Sequence, residues 1–222
     1  MVKIGLIGTG NLTATLGKAW ADAGHSIVVT GRNPAHVRTA AQQIGSAAVP
    51  IDPSEFADAV DVVVVAIAWE GLETALTLVG GPSGALSGKA VIDCTNPVDF
   101  TTGRLIPATG SAAEYVASLA IGAGVVKALH LFAGASWPFT GSPAIAPVVV
   151  ICGDDPDALH RAEALIADLG ARPAIVGGID AARQAEEAAG FVMRVVAAGA
   201  NPRLAIPHVD PISPAATVRS PG

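Results

Sequence analysis

Basic residues are few in this chain and aromatic ones fewer, and each shortage removes a class of function. Thirteen Lys and Arg face 19 Asp and Glu, giving a formal net charge of −6, with no basic run and a single tyrosine. That composition lacks the electrostatic footprint of a DNA- or RNA-binding protein. Cysteine is nearly absent too: Cys94 and Cys152 stand far apart, at the ends of apparent strands, without metal-type spacing. They read as small buried apolar residues in a reducing compartment, and no metal site is expected. No apolar run reaches membrane-spanning length without Gly, Pro or charge interrupting it. The first strand signal starts at the third residue, which leaves no leader segment, so the expected location is cytoplasmic.

Apolar residues are plentiful instead. Hydrophobic types make up 51% of the 222 residues and charged types only 14%. A chain of this length can therefore bury a sizeable core, as one large domain or a domain with a small appendage, and can hide more surface between subunits.

The densest local signal is Lys3-Ile-Gly-Leu-Ile-Gly-Thr-Gly-Asn-Leu12. Its largely apolar start suits a parallel strand covered on both faces. Gly8 permits a tight turn, and Gly10, without a Cβ, lets a pyrophosphate approach the backbone. The helix that follows aims its first N–H groups at the same charge. Thr13 stands where the third glycine of the usual fingerprint would be, a position that controls how closely helix and strand pack.

His25 to Asn33 reads as the second strand and its exit. An NAD site places an Asp or Glu here to accept the ribose 2′-OH, and none is present. Thr30 and Arg32 offer a hydroxyl and a guanidinium, which suit a 2′-phosphate and favour NADP. Asn33, His36 and Arg38 could extend that pocket.

Strand and helix signals then alternate. Helices are expected over 12–23, 34–44 and from Asp52, strands over 61–68 and 89–94, the latter ending at Thr95-Asn96-Pro97. This βαβα order predicts an α/β, Rossmann-type, doubly wound and mainly parallel sheet with its ligand at the carboxyl ends of the strands. Thr9, Ala68, Trp69 and Asn96 would share that rim. Ser111-Ala-Ala-Glu114 has capping-box spacing; further strands are expected over 125–129, 147–152 and 174–176, and helices over 155–169 and 180–200. Asp154 and Asp155, followed by Pro156, read as a helix cap and not as metal ligands. The expected division is an NADP-binding domain over 1–130, a smaller α/β part completing an acceptor cleft over 131–204, and a Pro-rich tail over 205–222.

Taken in order, Ile7-Gly-Thr-Gly-Asn-Leu12, Ile67-Ala-Trp-Glu70, Ser111-Ala-Ala-Glu114, Val126-Lys-Ala-Leu-His130, Ile151-Cys-Gly-Asp-Asp155, Gly170-Ala-Arg-Pro173 and Met193-Arg194 resemble the NADPH:F420 oxidoreductases. That resemblance implies a homodimer that passes hydride between NADP(H) and an 8-hydroxy-5-deazaflavin, coenzyme F420. It places the pyrophosphate turn on Gly8, Thr9, Gly10, Asn11 and Leu12, and the 2′-phosphate pocket on Thr30, Gly31 and Arg32. Gly31 replaces a serine of the family pattern. The deazaflavin would be met by His130 and Arg183, beside which Glu187 and Ala189 depart from the family's polar residues.

Hydride transfer between two stacked rings needs positioning more than acid–base chemistry. No residue is therefore expected to act as a classical acid or base, and Thr9, Leu12, Ala68 and Trp69 are expected to hold the rings. Bland roles stand beside these: His130 as a satisfied structural histidine, Arg183 as a helix arginine paired with Glu187 at i+4, Trp69 as an interface plug. Two other functions fit the same residues, a reductase with a flavin or small organic acceptor and a non-catalytic NADPH-binding sensor or scaffold.

Overall fold

The computed structural model describes residues 1–207 and 209. The expected tail over 205–222 thus lies largely outside the described residues. Its elements run β1 (Lys3–Ile7), α1 (Asn11–Asp22), β2 (Ser26–Thr30), α2 (Pro34–Ile44), β3 (Ala48–Pro50), α3 (Pro53–Ala59), β4 (Val62–Val65), α4 (Leu72–Leu78), β5 (Ala90–Asp93), β6 (Val98–Asp99), β7 (Arg104–Leu105) and α5 (Ala112–Leu119). They continue as β8 (Gly124–Lys127), β9 (Val148–Gly153), α6 (Pro156–Asp168), β10 (Arg172–Gly177) and α7 (Ala182–Ala197).

Eight strands form one sheet in the order β10-β9-β8-β5-β4-β1-β2-β3, and β6 with β7 makes a separate hairpin. All neighbours in the large sheet are parallel except β8 and β9. The Rossmann-type sheet is therefore mainly parallel, and β9 and β10 run against the rest while extending the same sheet.

Alternate strand residues feed two cores, as a period of two requires. Ile4, Leu6, Val62, Val64 and Ile92 pack with α1, α2 and α6. Ile7, Val63, Val65, Val91 and Val125 pack with α3, α4 and α5 on the opposite face. Helix ends follow local chemistry. Asn33 accepts from the N–H of Ala35 at 2.9 Å ahead of Pro34, and Asp155 accepts from Ala158 at 2.9 Å ahead of Pro156. The expected helix over 180–200 is divided into a short 3-10 turn at Ile179–Ala181 and α7.

The strands after β1 build outward on one side, and β4, β5 and β8 build outward on the other. The sheet reverses its winding between β1 and β4, so the loops leaving these two strands diverge and open a crevice between them. The register places Thr30, Ile7, Val65, Asp93 and Lys127 in one row across the sheet, each ending its strand. That row is the floor of the site.

Candidate functional site

At the switch point lies a cleft of about 640 Å3 bordered by Gly8 to Leu12, Gly31, Arg32 and Ala66 to Ala68. Gly8 adopts φ +132°, and a Cβ there would collide with the backbone oxygen of Ala66. The turn after β1 can therefore lie against the end of β4 only with glycine. Its N–H donates to Thr30 O at 3.1 Å. A Cβ on Gly10 would meet no protein atom within 4 Å, so the chain faces open cleft at that point. The start of α1 has no side-chain cap and no acid in its first turn. Uncapped N–H groups facing open space are what a phosphate binds. The residues present fit a dinucleotide's pyrophosphate.

Thr13 replaces the third glycine without loss of close packing, because Gly17 takes over one turn later. A Cβ on Gly17 would come within 2.5 Å of Ile44 and 2.9 Å of Leu6. The neighbouring 2′-phosphate corner is only partly as the sequence suggests. Arg32 borders the cleft with no hydrogen bond or ion pair among the described residues. Thr30 is fully buried, and its hydroxyl donates to Ile51 O at 3.1 Å, so it is turned away from the cleft. Thr30, two residues after Val28 on β2, belongs to the sheet face that packs on α3. Asn33 is likewise occupied as the cap of α2. A cleft of about 230 Å3 continues past Gly31 among Pro34, Val37, Ile51 and Pro53, with Arg38 and Asp52 beside it. Its apolar walls suit a flat ring.

A second cleft of about 620 Å3 shares Ile67, Ala68 and Glu70 with the first and adds Trp69, Asn96 and the β6–β7 hairpin from Val98 to Ile106. Trp69 is held by a tilted contact with Tyr115 of α5, ring centroids 5.4 Å apart. The Asn96 amide nitrogen donates to His130 O at 2.6 Å, which leaves its Oδ1 buried and without a protein partner. Asp99 caps its own turn, accepting from Thr101 at 2.8 Å. That bond, with further ones from Thr102 and Thr101, holds its pKa below the ordinary carboxylate value and keeps it ionised.

The structure does not bring His130 and Arg183 together at this second cleft. His130 is 5% exposed, and its Nε2 lies 3.0 Å from Ala185 O. A carbonyl only accepts, so Nε2 carries the proton and Nδ1 is left as an unpartnered acceptor. Its ring borders neither cleft; its backbone carbonyl holds Asn96, which does. Leu129, just before it, sits at φ +61°, a left-handed conformation rare for a bulky residue, and this turns the chain out of β8. Burial, and then repulsion by Lys127, lowers the His130 pKa to about 4. Since the unfolded chain binds this proton more readily, stability is lost as pH falls from about 6.5 to about 4. The shift corresponds to a loss on the order of 3 kcal/mol for this group. Urea unfolding across that range should show His130→Gln with a flatter acid limb than the parent; equal slopes would contradict the assignment.

Arg183 instead borders a third cleft, formed by β7 and α7. It donates to Gly110 O at 2.7 Å and Pro107 O at 3.4 Å, and its Nε lies 3.1 Å from Glu187. The i+4 pairing is therefore present, and Glu187 faces this third cleft with it. Ala189 is buried.

Beneath the second cleft lies an ionic cluster that sequence reasoning missed. Lys127 is fully buried, 2.9 Å from Asp93 and 2.8 Å from Glu186, and donates also to Thr95 O. Asp93 accepts from the Thr95 N–H, and Glu186 from the N–H groups of Ala112 and Ala113 at the start of α5. Burial alone would depress the Lys127 pKa, but the carboxylates of Asp93 and Glu186 raise it above its ordinary value. Burial raises that of Glu186, and Lys127 partly opposes the rise. Lys127 and Asp93 are register partners, so they must face the same side of the sheet. A lysine closing one apolar strand and an aspartate closing another were the available signal.

Cys94, at the edge of the first cleft, and Cys152 are both free and buried, as the sequence suggested. Burial raises the Cys152 thiol to about 11 and pushes the Cys94 thiol up further, so both stay protonated and unreactive. Among the described residues no group of three or more metal-ligating side chains occurs, and no helix is long and apolar enough to cross a membrane.

Residues 3–97 match the family model described as NADP oxidoreductase, coenzyme F420-dependent. A crystal structure of an Arthrobacter sp. FB24 protein, provisionally described as an F420-dependent NADP-reductase, superposes with a TM-score of 0.78. It is 27% identical, and the match covers 90% of this chain and 96% of that one. The rat metalloreductase STEAP3 is 30% identical over 185 residues, 83% of this chain but 36% of its own length. The chain thus spans about a third of that curated relative. A reductive aminase from Aspergillus terreus, solved with NADPH and ethyl-5-oxohexanoate, shares the fold at a TM-score of 0.65 and 19% identity. That match covers 90% of this chain and 63% of the other.

Proposed function

We propose, from the match of residues 3–97 to the family model of coenzyme F420-dependent NADP oxidoreductases, that the protein transfers hydride between NADP(H) and F420. The observation that carries this reading is the continuity of the two clefts through Ile67, Ala68 and Glu70. A dinucleotide laid along the first from Arg32 to Ala68 would present its nicotinamide at the mouth of the second. NADPH supplies the hydride and the deazaflavin ring the accepting carbon.

The protein's share is placement. Gly8 to Leu12 hold the pyrophosphate, with Arg32 beside Gly31 at the 2′-phosphate and the Pro34–Val37–Ile51 slot at the adenine. Ala68 and Trp69 form the wall where the rings meet, with Tyr115 bracing the indole. Asn96 borders the acceptor cleft, its amide held in place by the carbonyl of His130. His130 therefore acts as a positioning residue behind Asn96, and Arg183 shapes the neighbouring loop at Pro107 and Gly110. The homodimer implied by the resemblance belongs to the same reading.

Anaerobic NADPH oxidation with F420 as acceptor, followed at the deazaflavin absorbance, tests the reading. Turnover with NADPH and F420, and little with NADH or FMN, is expected. Tight NADPH binding without reduction of F420 or FMN would move the protein to the sensor or scaffold class.

A further inference from the structure

We propose that Glu70 is the counter-charge of the oxidised nicotinamide. At the junction of the two clefts it stabilises NADP+ relative to NADPH, and so favours hydride leaving NADPH on the protein. This rests on the first cleft holding NADP(H) and adds a direction to the proposed transfer.

The chain around Glu70 sends its side chain to that junction. Trp69, Glu70 and Gly71 form a 3-10 turn after β4, closed by the Gly71 N–H donating to Ala68 O at 3.0 Å. On one side of Glu70 the Trp69 indole lies against Tyr115. On the other, Leu72 is fully buried in the core that α4 and α5 share with the sheet. With both flanks anchored on the protein, Glu70 is left exposed, and it borders both clefts. It makes no hydrogen bond or ion pair among the described residues. Ile67 and Ala68, the other residues common to the two clefts, are apolar and do not answer a change of charge.

The first cleft is polarised. Among the described residues, Arg32 and Glu70 are the only charged side chains that border it. Arg32 follows β2 and Glu70 follows β4, strands on either side of β1 and about 10 Å apart. A dinucleotide with a 2′-phosphate has the matching asymmetry. One end carries the phosphate, and the other a ring that is positive when oxidised and neutral when reduced. Laid the opposite way, it would set the phosphate against the Glu70 carboxylate.

No protein cation competes for that carboxylate. No Lys, Arg or His borders the second cleft among the described residues, and its other charge, Asp99, is also negative. Lys127 beneath it is paired with Asp93 and Glu186. Hydride transfer out of the nicotinamide C4–H bond carries both bonding electrons to the acceptor carbon. A proton from water neutralises the acceptor, and the positive charge stays on the ring. A carboxylate fixed beforehand beside the developing charge favours that state and the transition state leading to it. Stacked rings that exclude water strengthen the attraction.

The test is binding, by calorimetric titration of the full chain with NADP+ and with NADPH, without acceptor. Glu70→Gln should raise the ratio of the NADP+ to the NADPH dissociation constant about threefold, the size of an exposed ion pair. The rise should shrink in about 1 M salt, where such a charge is screened, while the phosphates common to both forms cancel in the ratio. Asp99→Asn removes an equal charge from the second cleft alone and should leave the ratio unchanged. The Glu70 side chain is exposed, so the variant should fold, which a thermal melt checks. An unchanged ratio in Glu70→Gln overturns the assignment. So does equal weakening of both forms, which would put Glu70 on a group they share, such as a ribose. Equal shifts in Glu70→Gln and Asp99→Asn overturn it too, since the acidic surface as a whole would then be acting. Binding of neither form overturns the cofactor reading, and the assignment with it.

Discussion

Lys127→Met is expected to destabilise the protein by about 3–5 kcal/mol, the usual effect of removing one partner from a buried charge cluster. Asp93 and Glu186 would remain buried with no cation between them, while the methionine fills most of the space. The loss should also depend on pH. Burial already raises the Glu186 pKa and Lys127 opposes the rise, so removing the lysine raises it further. A folded state that binds more protons than the unfolded one loses stability as pH rises. The deficit should therefore be larger at about pH 8 than at about pH 5, within the window that opens at the ordinary carboxylate value. Equilibrium urea unfolding at both pH values measures it. The triple variant Lys127→Met/Asp93→Asn/Glu186→Gln should recover much of the lost stability, because the uncompensated charge is what costs. A pH-independent loss below about 1 kcal/mol would show that the cluster is hydrated and weak.

Arg32→Ala is expected to weaken NADPH binding by about 1–3 kcal/mol, roughly 5- to 150-fold, and to leave NADH almost unaffected. The side chain borders the cleft with no hydrogen bond or ion pair among the described residues, so its removal breaks none of these. Thr30 cannot substitute for it, since its hydroxyl is committed to Ile51. Calorimetric titration with both cofactors gives the difference directly. Equal weakening of NADPH and NADH would place Arg32 on a group the two share, such as the pyrophosphate, and would sink the 2′-phosphate assignment.

Some features were legible because their causes are local. Helix α2 spans Pro34–Ile44 as read, with Asn33 to cap it, Pro34 to open it and Gly45 to stop it. The Ser111 box also holds, with the Ser111 Oγ bonded to the Glu114 N–H at 3.1 Å. Short elements were not legible. β3 has three residues and exists by pairing with β2, and α4 begins at Leu72 after Gly71, which offers no capping side chain. β6 and β7 have two residues each and are defined by each other. Nor does periodicity carry strand direction, so the antiparallel pairing of β9 on β8 had no signal in the chain.

The sequence alone determined the apolar strands, the glycine turn at Gly8 and Gly10, the absence of a carboxylate after β2, and hence the Rossmann-type fold and the turn proposed to hold a phosphate. Each depends on residues within a turn or two of one another. Tertiary structure decided the rest. It buried Thr30, moved close packing from residue 13 to Gly17, put His130 behind Asn96 and sent Arg183 to another cleft. It also joined residues 93, 127 and 186, and set Glu70 at the junction of two clefts. These groups meet through sheet register and through turns packed on strand ends, where a side chain's neighbours are fixed by which strands pair and which glycines let two chains touch.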